Sequence, residues 1–176
     1  MKAGSLASMR VSRVVAGLAV LLVAAAPAFA GSATSNFSVT ASVASNCTIS
    51  TTSIAFAAYD PIVANATTPL DATGSVIITC TKGAATTIGL NAGLNGASAT
   101  GTTRAMKSGT DYLSYEIYQD SGRTIVWGNS GAGLLTPAVA PDKNPRTFTT
   151  NGRVPAGQDV PAGASYTDTV TATVNF

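Results

Sequence analysis

The sequence predicts an all-β protein, either a sandwich or a barrel, and three observations support this. Short stretches in which apolar and polar residues alternate recur along the chain, as in "NFSVTASV" and "YTDTVTATVNF", and a period of two is typical of strands with one buried face. Residues 31–176 are rich in Thr, Ser, Ala, Gly and Val and show no helical period. Many short strands without intervening helices favour a sandwich or a barrel.

We interpret residues 1–30 as a secretory signal. They combine a basic start, an apolar run over residues 14–25, and an Ala-x-Ala site at Ala28–Ala30. Such a run is too short to span a bilayer comfortably, and the three features together are typical of a cleaved signal peptide. The alternative is an uncleaved membrane anchor.

Removal of this segment changes the charge balance. Three of the ten basic residues lie within it, which leaves seven against eight acidic residues, a net charge of −1. No basic patch indicates a nucleic-acid partner. The remaining 146 residues are one domain of ordinary size.

In the first half of the chain, apolar residues alternate with polar ones in four places. A turn signal, Asp60-Pro61, separates the second place from the third. The apolar positions are Phe37, Val39, Ala41 and Val43; Ile54 and Phe56; Val76, Ile78 and Cys80; Ile88 and Leu90.

In the second half, residues 91–109 are rich in Gly, Ala, Ser and Thr, and we expect a loop with a short strand near Met106. Residues 112–128 predict a hairpin with its turn at Asp120-Ser121-Gly122. The dipeptide Asn151-Gly152 predicts another hairpin. In the last strand, the residues expected on one face are Val170, Ala172, Val174 and Phe176.

Cys47 and Cys80 are the two cysteines of the chain. An even number of cysteines in an exported protein predicts a disulfide, which would stabilise the fold by roughly 3–4 kcal/mol. The alternative is a two-cysteine metal site, but the chain has no histidine to complete one.

The sequence offers no catalytic residue, no metal site and no cofactor motif. It contains no histidine, the commonest general base. Glu116 lies on the polar side of an alternating strand, so we expect it to be solvated, and turn chemistry accounts for most aspartates. The glycine-rich "GLNAGLNG" lacks the lysine of a phosphate loop. An enzyme or a small binding module is therefore the least favoured of three functional hypotheses.

Three stretches resemble one family. The segment "FAAYDPIVANATTPLDATGSVIITCT", the central "LSYEIYQDSGRTIVWG" and the final "RVPAGQDVPAGASYTDTVTATVNF" are similar, in this order, to the spore coat protein U domain family. The resemblance covers residues 36–176. This family includes pilins of archaic, Csu-type chaperone–usher fimbriae.

The resemblance implies an immunoglobulin-like β-sandwich that lacks its last strand. Residues 31–46 would be an N-terminal donor-strand extension, and residues 47–176 the pilin domain. The implied partners are a periplasmic pilus chaperone, an outer-membrane usher and neighbouring copies or related subunits. The protein would be exported to the periplasm of a Gram-negative bacterium and then carried to a cell-surface pilus.

The resemblance also assigns a role to the first alternating segment. Phe37, Val39, Ala41 and Val43 would fill the groove of a neighbouring subunit by strand addition. Ala41 departs from this pattern, because a larger apolar side chain would fill a pocket better. The alternative is a first strand that packs within its own sandwich.

Four further residues receive roles by the same comparison. Tyr166 resembles the tyrosine corner of immunoglobulin-type sandwiches, and Asp168 would be hydrogen-bonded near it. Trp127 is expected in the core or in a groove wall rather than as a carbohydrate platform. The carboxylate of Phe176 would be held by basic residues of the chaperone.

The leading hypothesis is therefore a structural pilus subunit, polymerised by donor strands, that supports adhesion and biofilm formation. With 146 residues after the signal, we expect a shaft or adaptor subunit rather than one with a separate binding domain. The alternative is a secreted coat or surface protein of the same fold that does not polymerise.

Overall fold

A computed structural model describes residues 30–162 and 165–176. The chain divides into two compact units, Met1–Thr40 and Ala41–Phe176. In the first unit, the described residues 30–40 form no helix or strand. The predicted signal peptide lies outside the described residues except for Ala30. Across the described ranges, no helix has the length and apolar character needed to cross a membrane.

The second unit is built from strands, as the alternation predicts. Its only helical segments among the described residues are two short 3-10 turns, Gly96–Ser98 and Gly131–Gly133. The strands are β1 (Cys47–Thr52), β2 (Leu70–Cys80), β3 (Thr87–Leu90), β4 (Arg104–Ser108), β5 (Asp111–Tyr118), β6 (Arg146–Val154) and β7 (Ala172–Asn175).

These strands form two sheets, and all of their pairings are antiparallel. A five-stranded sheet has the order β1-β2-β6-β5-β4, and a two-stranded sheet joins β3 to β7. The inward side chains make one apolar core, whose most deeply buried members include Trp127, Ile78, Ile88, Val76 and Val154. The all-β prediction is confirmed.

The predicted disulfide joins Cys47 to Cys80. The two cysteines lie directly opposite each other at one end of the β1–β2 pair. The neighbouring pair is hydrogen-bonded, since the Thr81 amide donates to the Asn46 carbonyl at 2.9 Å. The cysteines therefore occupy the closer, non-hydrogen-bonded type of pair, and their Cα atoms are 4.1 Å apart.

The prediction of a strand around Ile54 and Phe56 is wrong. β1 ends at Thr52, and residues 53–60 form no strand. Both apolar side chains are instead half-buried and pack against the core. These side chains pack directly over glycines of the large sheet. A Cβ atom on Gly74, for example, would lie 3.0 Å from Ile54 Cγ1.

The prediction of a hairpin turn at Asn151-Gly152 is also wrong, because both residues lie inside β6 and are buried. A Cβ atom on Gly152 would lie 2.8 Å from Phe56 Cζ and 3.0 Å from Ile54 Cγ2. Glycine is therefore present here because Phe56 and Ile54 pack closely against the β6 backbone, not because the chain turns.

The other strand predictions agree with the structure more closely. β2, β3 and β4 fall where the alternation or the short-strand signal placed them. After β5, the chain reverses so that the Trp127 amide donates to the Ile117 carbonyl at 2.8 Å, which confirms the central hairpin in a short form. In the last strand Val170, Ala172 and Val174 are half-buried, but Phe176 is 54% exposed.

Gly152→Ala should lower the free energy of unfolding by about 1–3 kcal/mol, because its methyl group would overpack against Phe56 and Ile54. Urea unfolding at equilibrium measures this. Gly31→Ala is the control, since a Cβ atom there meets nothing within 4 Å. Equal stability of the two variants would contradict the role given to Gly152.

Candidate functional site

A groove of about 430 Å³ opens along the sandwich between its two sheets. One wall is residues 51–54, the end of β1 and the two residues after it, and the other is residues 167–170 with Ala172, which lead into β7. Its floor includes the core side chains Val76, Leu90 and Ile117. The groove is therefore a cleft with an apolar floor and two strand edges as its walls.

Several apolar side chains of the groove are only half-buried. This set packs against the core on one side and lines the opening on the other, and it consists of Ile54, Phe56, Met106, Tyr166, Val170 and Ala172. Additional apolar area would be removed from water if an extended apolar segment lay here. Burial of such area is worth about 25 cal/mol per Å².

The edge of β7 that faces away from β3 carries free backbone groups. The Asn91 amide donates to the Thr171 carbonyl at 3.1 Å, so hydrogen-bonded pairs alternate from that point along β3 and β7. By this alternation Ala172 and Val174 direct their N–H and C=O groups away from β3. Among the described residues, neither has a backbone partner on that side.

The same alternation applies to β1. Since Asn46 and Thr81 form a hydrogen-bonded pair, the pairs Ile49–Ile78 and Thr51–Val76 are of the non-hydrogen-bonded type. Ile49 and Thr51 therefore direct backbone groups outward from β2. Both walls of the groove are thus sheet edges able to pair with a further strand.

Asp168 fixes the start of the β7 wall. Its carboxylate accepts hydrogen bonds from the Leu94 amide at 2.9 Å, the Asn95 side-chain amide at 3.1 Å and the Tyr115 hydroxyl at 2.8 Å. Burial, together with the hydrogen bond to this carboxylate, raises the pKa of Tyr115 above its ordinary value. Tyr115 therefore stays protonated as the donor at neutral pH.

The glycine-rich loop makes room for this carboxylate. Gly93 has a φ of +75°, and a Cβ atom there would lie 2.0 Å from Asp168 Oδ2. Only glycine adopts this conformation readily and leaves that space. The segment "GLNAGLNG" thus serves the groove wall, which its sequence did not reveal.

A buried ion pair lies beneath the same region. Glu116, which was predicted to be solvated, is 3% exposed, and Arg104 is 1% exposed. The correction has a local cause, because the chain before β4 covers this side of β5 and the Thr103 amide donates to Glu116 Oε2 at 2.9 Å. Arg104 donates to Glu116 Oε1.

Most of the other hydrogen bonds of Arg104 go to backbone carbonyls, and one goes to the Thr103 hydroxyl at 3.4 Å. Its guanidinium donates to the carbonyls of Asn91 at 2.9 Å, Leu90 at 3.1 Å and Trp127 at 2.7 Å. The ion pair therefore joins β4 and β5 to the end of β3, the strand that carries β7. Sequence reasoning missed it, because neither residue differs in its local pattern from an exposed charge.

Residues 33–173 match the Spore Coat Protein U domain family. The chain belongs to this family. It is 41% identical over 167 residues to Protein U of Myxococcus xanthus, and the match covers 88% of this chain and 91% of that protein. The resemblance drawn from the three stretches is confirmed.

The fold is also similar to that of a protein of known structure. The chain matches a chain of the CsuC–CsuE chaperone–tip adhesion subunit pre-assembly complex from archaic chaperone-usher Csu pili of Acinetobacter baumannii, with a TM-score of 0.54 and 27% identity. The match covers 76% of this chain and 40% of that chain. The predicted fold class, an immunoglobulin-like sandwich of the pilin type, is confirmed.

Tyr166 and Asp168, two residues given roles by the family resemblance, have different surroundings. Asp168, expected to be hydrogen-bonded near the tyrosine corner, is hydrogen-bonded to Tyr115. The Tyr166 ring lines the groove, and its buried hydroxyl has no hydrogen-bond partner within the described ranges. The tyrosine corner stays a prediction. Trp127 is fully buried and donates to the Ile88 carbonyl at 2.9 Å, which places it in the core.

The family resemblance implies a donor strand within residues 31–46 of this chain, and these residues form no strand in the structure. Phe37, Val39 and Val43 are 86%, 82% and 84% exposed, and Ala41 is exposed as well. Their role as a donor strand stays a prediction, and so does the chaperone contact of Phe176.

Glu116→Gln should lower the free energy of unfolding by about 3–5 kcal/mol, because it leaves the buried Arg104 cation without its counter-ion. The control is Asp71→Asn, which removes an exposed partner of Arg153 and should cost less than about 1 kcal/mol. Urea unfolding of both variants measures the difference. A loss for Glu116→Gln no larger than the control would show that the pair does not hold the fold.

Proposed function

We propose that this protein is a structural subunit of a chaperone–usher surface pilus, and that its groove accepts an extended strand from a partner. One observation carries the proposal. The groove has an apolar floor, and it is bounded by two strand edges whose outward backbone groups have no partner among the described residues. A strand laid between them gains main-chain hydrogen bonds from the edges and specificity from alternate side chains.

The proposed occupant in the fibre is the segment 36–44 of a neighbouring copy. Its alternate residues Phe37, Val39 and Val43 are highly exposed, and burial of each is worth roughly 1.5–3 kcal/mol. Together they would supply about 5–9 kcal/mol before the cost of ordering both partners. The small Ala41 would fit a shallower part of the groove.

The comparison with the Csu complex supports the proposed partners. That complex contains a chaperone and a pilus subunit before assembly, so we assign this chain a periplasmic chaperone, followed by transfer at an outer-membrane usher. Phe176 directly follows β7 and is half exposed, which suits contact of its carboxylate with the chaperone. The assembled subunit would serve adhesion and biofilm formation at the cell surface, a structural rather than catalytic role.

A second candidate function has its own support. The matching family is described as a spore coat domain, and identity to Protein U extends over most of both chains. A coat protein of this fold would use the strand of residues 36–44 within its own sandwich and would not polymerise.

Val39→Arg distinguishes the two functions. In a pilus subunit the variant should not extend into a neighbour, because the groove would have to bury an unpaired cation, which costs several kcal/mol. Its own groove is unchanged, so it should fold and still accept a wild-type strand. Electron microscopy of purified variant, alone and mixed with wild-type protein, measures fibre formation and incorporation at fibre ends.

Thr40→Lys is the matched control, since this side chain would face outward and the charge should be tolerated. An intact disulfide and an unchanged unfolding midpoint show that each variant is folded. If Val39→Arg prevents folding while wild-type protein forms no fibres, the strand belongs to its own domain, and the coat function replaces the pilus function.

A further inference from the structure

The part of the groove wall that precedes β7 is held at both of its ends. We name residues 168–171 the wall segment; Asp168, Thr169 and Val170 line the groove together with Ala172, whose backbone groups face outward. Between the two ends lie Thr169 and Val170. Side chains from other elements contact each end, and the backbone of Thr167, just before the segment, also pairs with Lys107 of β4. The two sets of side-chain contacts meet in the loop after β3, where Asn91 Oδ1 also accepts from the Gly93 amide at 3.1 Å.

The first anchor is the carboxylate of Asp168. It accepts hydrogen bonds from two groups of the loop after β3, Leu94 and Asn95, and one from Tyr115 of β5. Hydrogen bonds to an ionised acceptor are roughly twice as strong as neutral ones. The start of the wall segment is therefore tied to both sheets.

The second anchor is Asn91. Its amide donates to the Thr171 carbonyl at 3.1 Å, and its side-chain oxygen accepts from the Thr171 amide at 2.9 Å. The Asn91 carbonyl in turn accepts from Arg104 Nε at 2.9 Å. The end of the wall segment is thus connected, through one residue, to the buried Arg104–Glu116 pair.

We propose that Asp168 and Asn91 are positioning residues that hold the wall segment extended before a donor strand arrives. If the edge is already ordered in the free protein, binding loses no conformational entropy in ordering it. Such pre-organisation raises affinity without adding contacts. This inference rests on the proposed function. It makes the affinity of the groove for a strand depend on these two side chains beyond their effect on overall stability.

The test measures strand binding by the full chain. Every sample carries Val39→Arg, so that the protein's own segment does not compete. The probe is a fluorescent peptide of residues 35–45, and fluorescence anisotropy gives its dissociation constant well below the unfolding midpoint. A peptide with Val39→Arg controls for non-specific binding.

Two variants remove one anchor each. Asn91→Ala and Asp168→Asn should each weaken peptide binding at least tenfold. Asn91→Asp keeps the oxygen that accepts from Thr171 and should bind within about threefold of the parent, since the acceptor and not the amide nitrogen carries the contact.

Tyr59→Phe is the control for a purely structural effect. It removes a hydroxyl that donates to the Pro155 carbonyl and accepts from the Gln158 amide, both at 2.9 Å, and Tyr59 does not line the groove. It should lower the unfolding midpoint while peptide affinity changes less than twofold. Should one anchor variant fail to fold, the other decides.

The two failures are distinguishable. If the parent protein does not bind the peptide, the proposed function is overturned together with this inference. If the parent binds, but the anchor variants weaken binding no more than Tyr59→Phe, the wall segment is not pre-organised by these residues and the proposed function stands.

Discussion

A strand edge beside an apolar cleft is the constraint on which this structure depends. Backbone N–H and C=O groups that leave water without a partner cost free energy comparable to a lost hydrogen bond. In the two-stranded sheet, β7 meets β3 along one side. On its other side the backbone groups of Ala172 and Val174 have no backbone partner among the described residues, and Ala172 lines the groove. Under the proposed function, one further strand would cover the apolar floor of the groove and satisfy that edge at the same time.

The two walls are held by different kinds of contact. The β7 wall is fixed by Asp168 and Asn91, whereas β1 is fixed by the disulfide at its start and leads after Thr52 into a segment without strand pairing. Some Cα atoms of β1 and β7 lie within 8 Å of each other. A strand between two others needs about 9.6 Å between its neighbours, so a donor strand that enters as proposed would have to separate these edges.

The sequence was informative where burial follows a period of two. β2 and β7 show this, since their inward residues are apolar and their outward residues are mostly Thr or Ser, and the family stretches fall on these elements. Its failures have physical causes. A glycine in Asn-Gly can mark a turn, but it can also make room for side chains that pack against the backbone. At Gly152 the side chains of Phe56 and Ile54 occupy that space.

Long-range pairing of polar side chains escaped prediction for a related reason. Arg104 and Glu116 are buried because a loop covers one face of β5, and Asp168 meets Tyr115 across 53 positions of the chain. A local pattern contains neither the loop's path nor the partner. The groove itself was inferred from the family resemblance, since alternation alone does not show which edge lacks a strand.

The two alternating segments, one at each end of the chain, differ in how exposed their apolar side chains are. Val170, which precedes β7, and Ala172 and Val174 within it are half-buried and pack against the core, so their period has a cause within the fold. Phe37, Val39 and Val43 have the same period but are more than 80% exposed. Isolated exposed apolar residues are ordinary, whereas a regular alternation has a physical purpose only where one face is covered. The unit Ala41–Phe176 has a groove with an apolar floor. Each copy of the chain carries one such segment and one such groove, which is the arrangement that the proposed head-to-tail assembly would require.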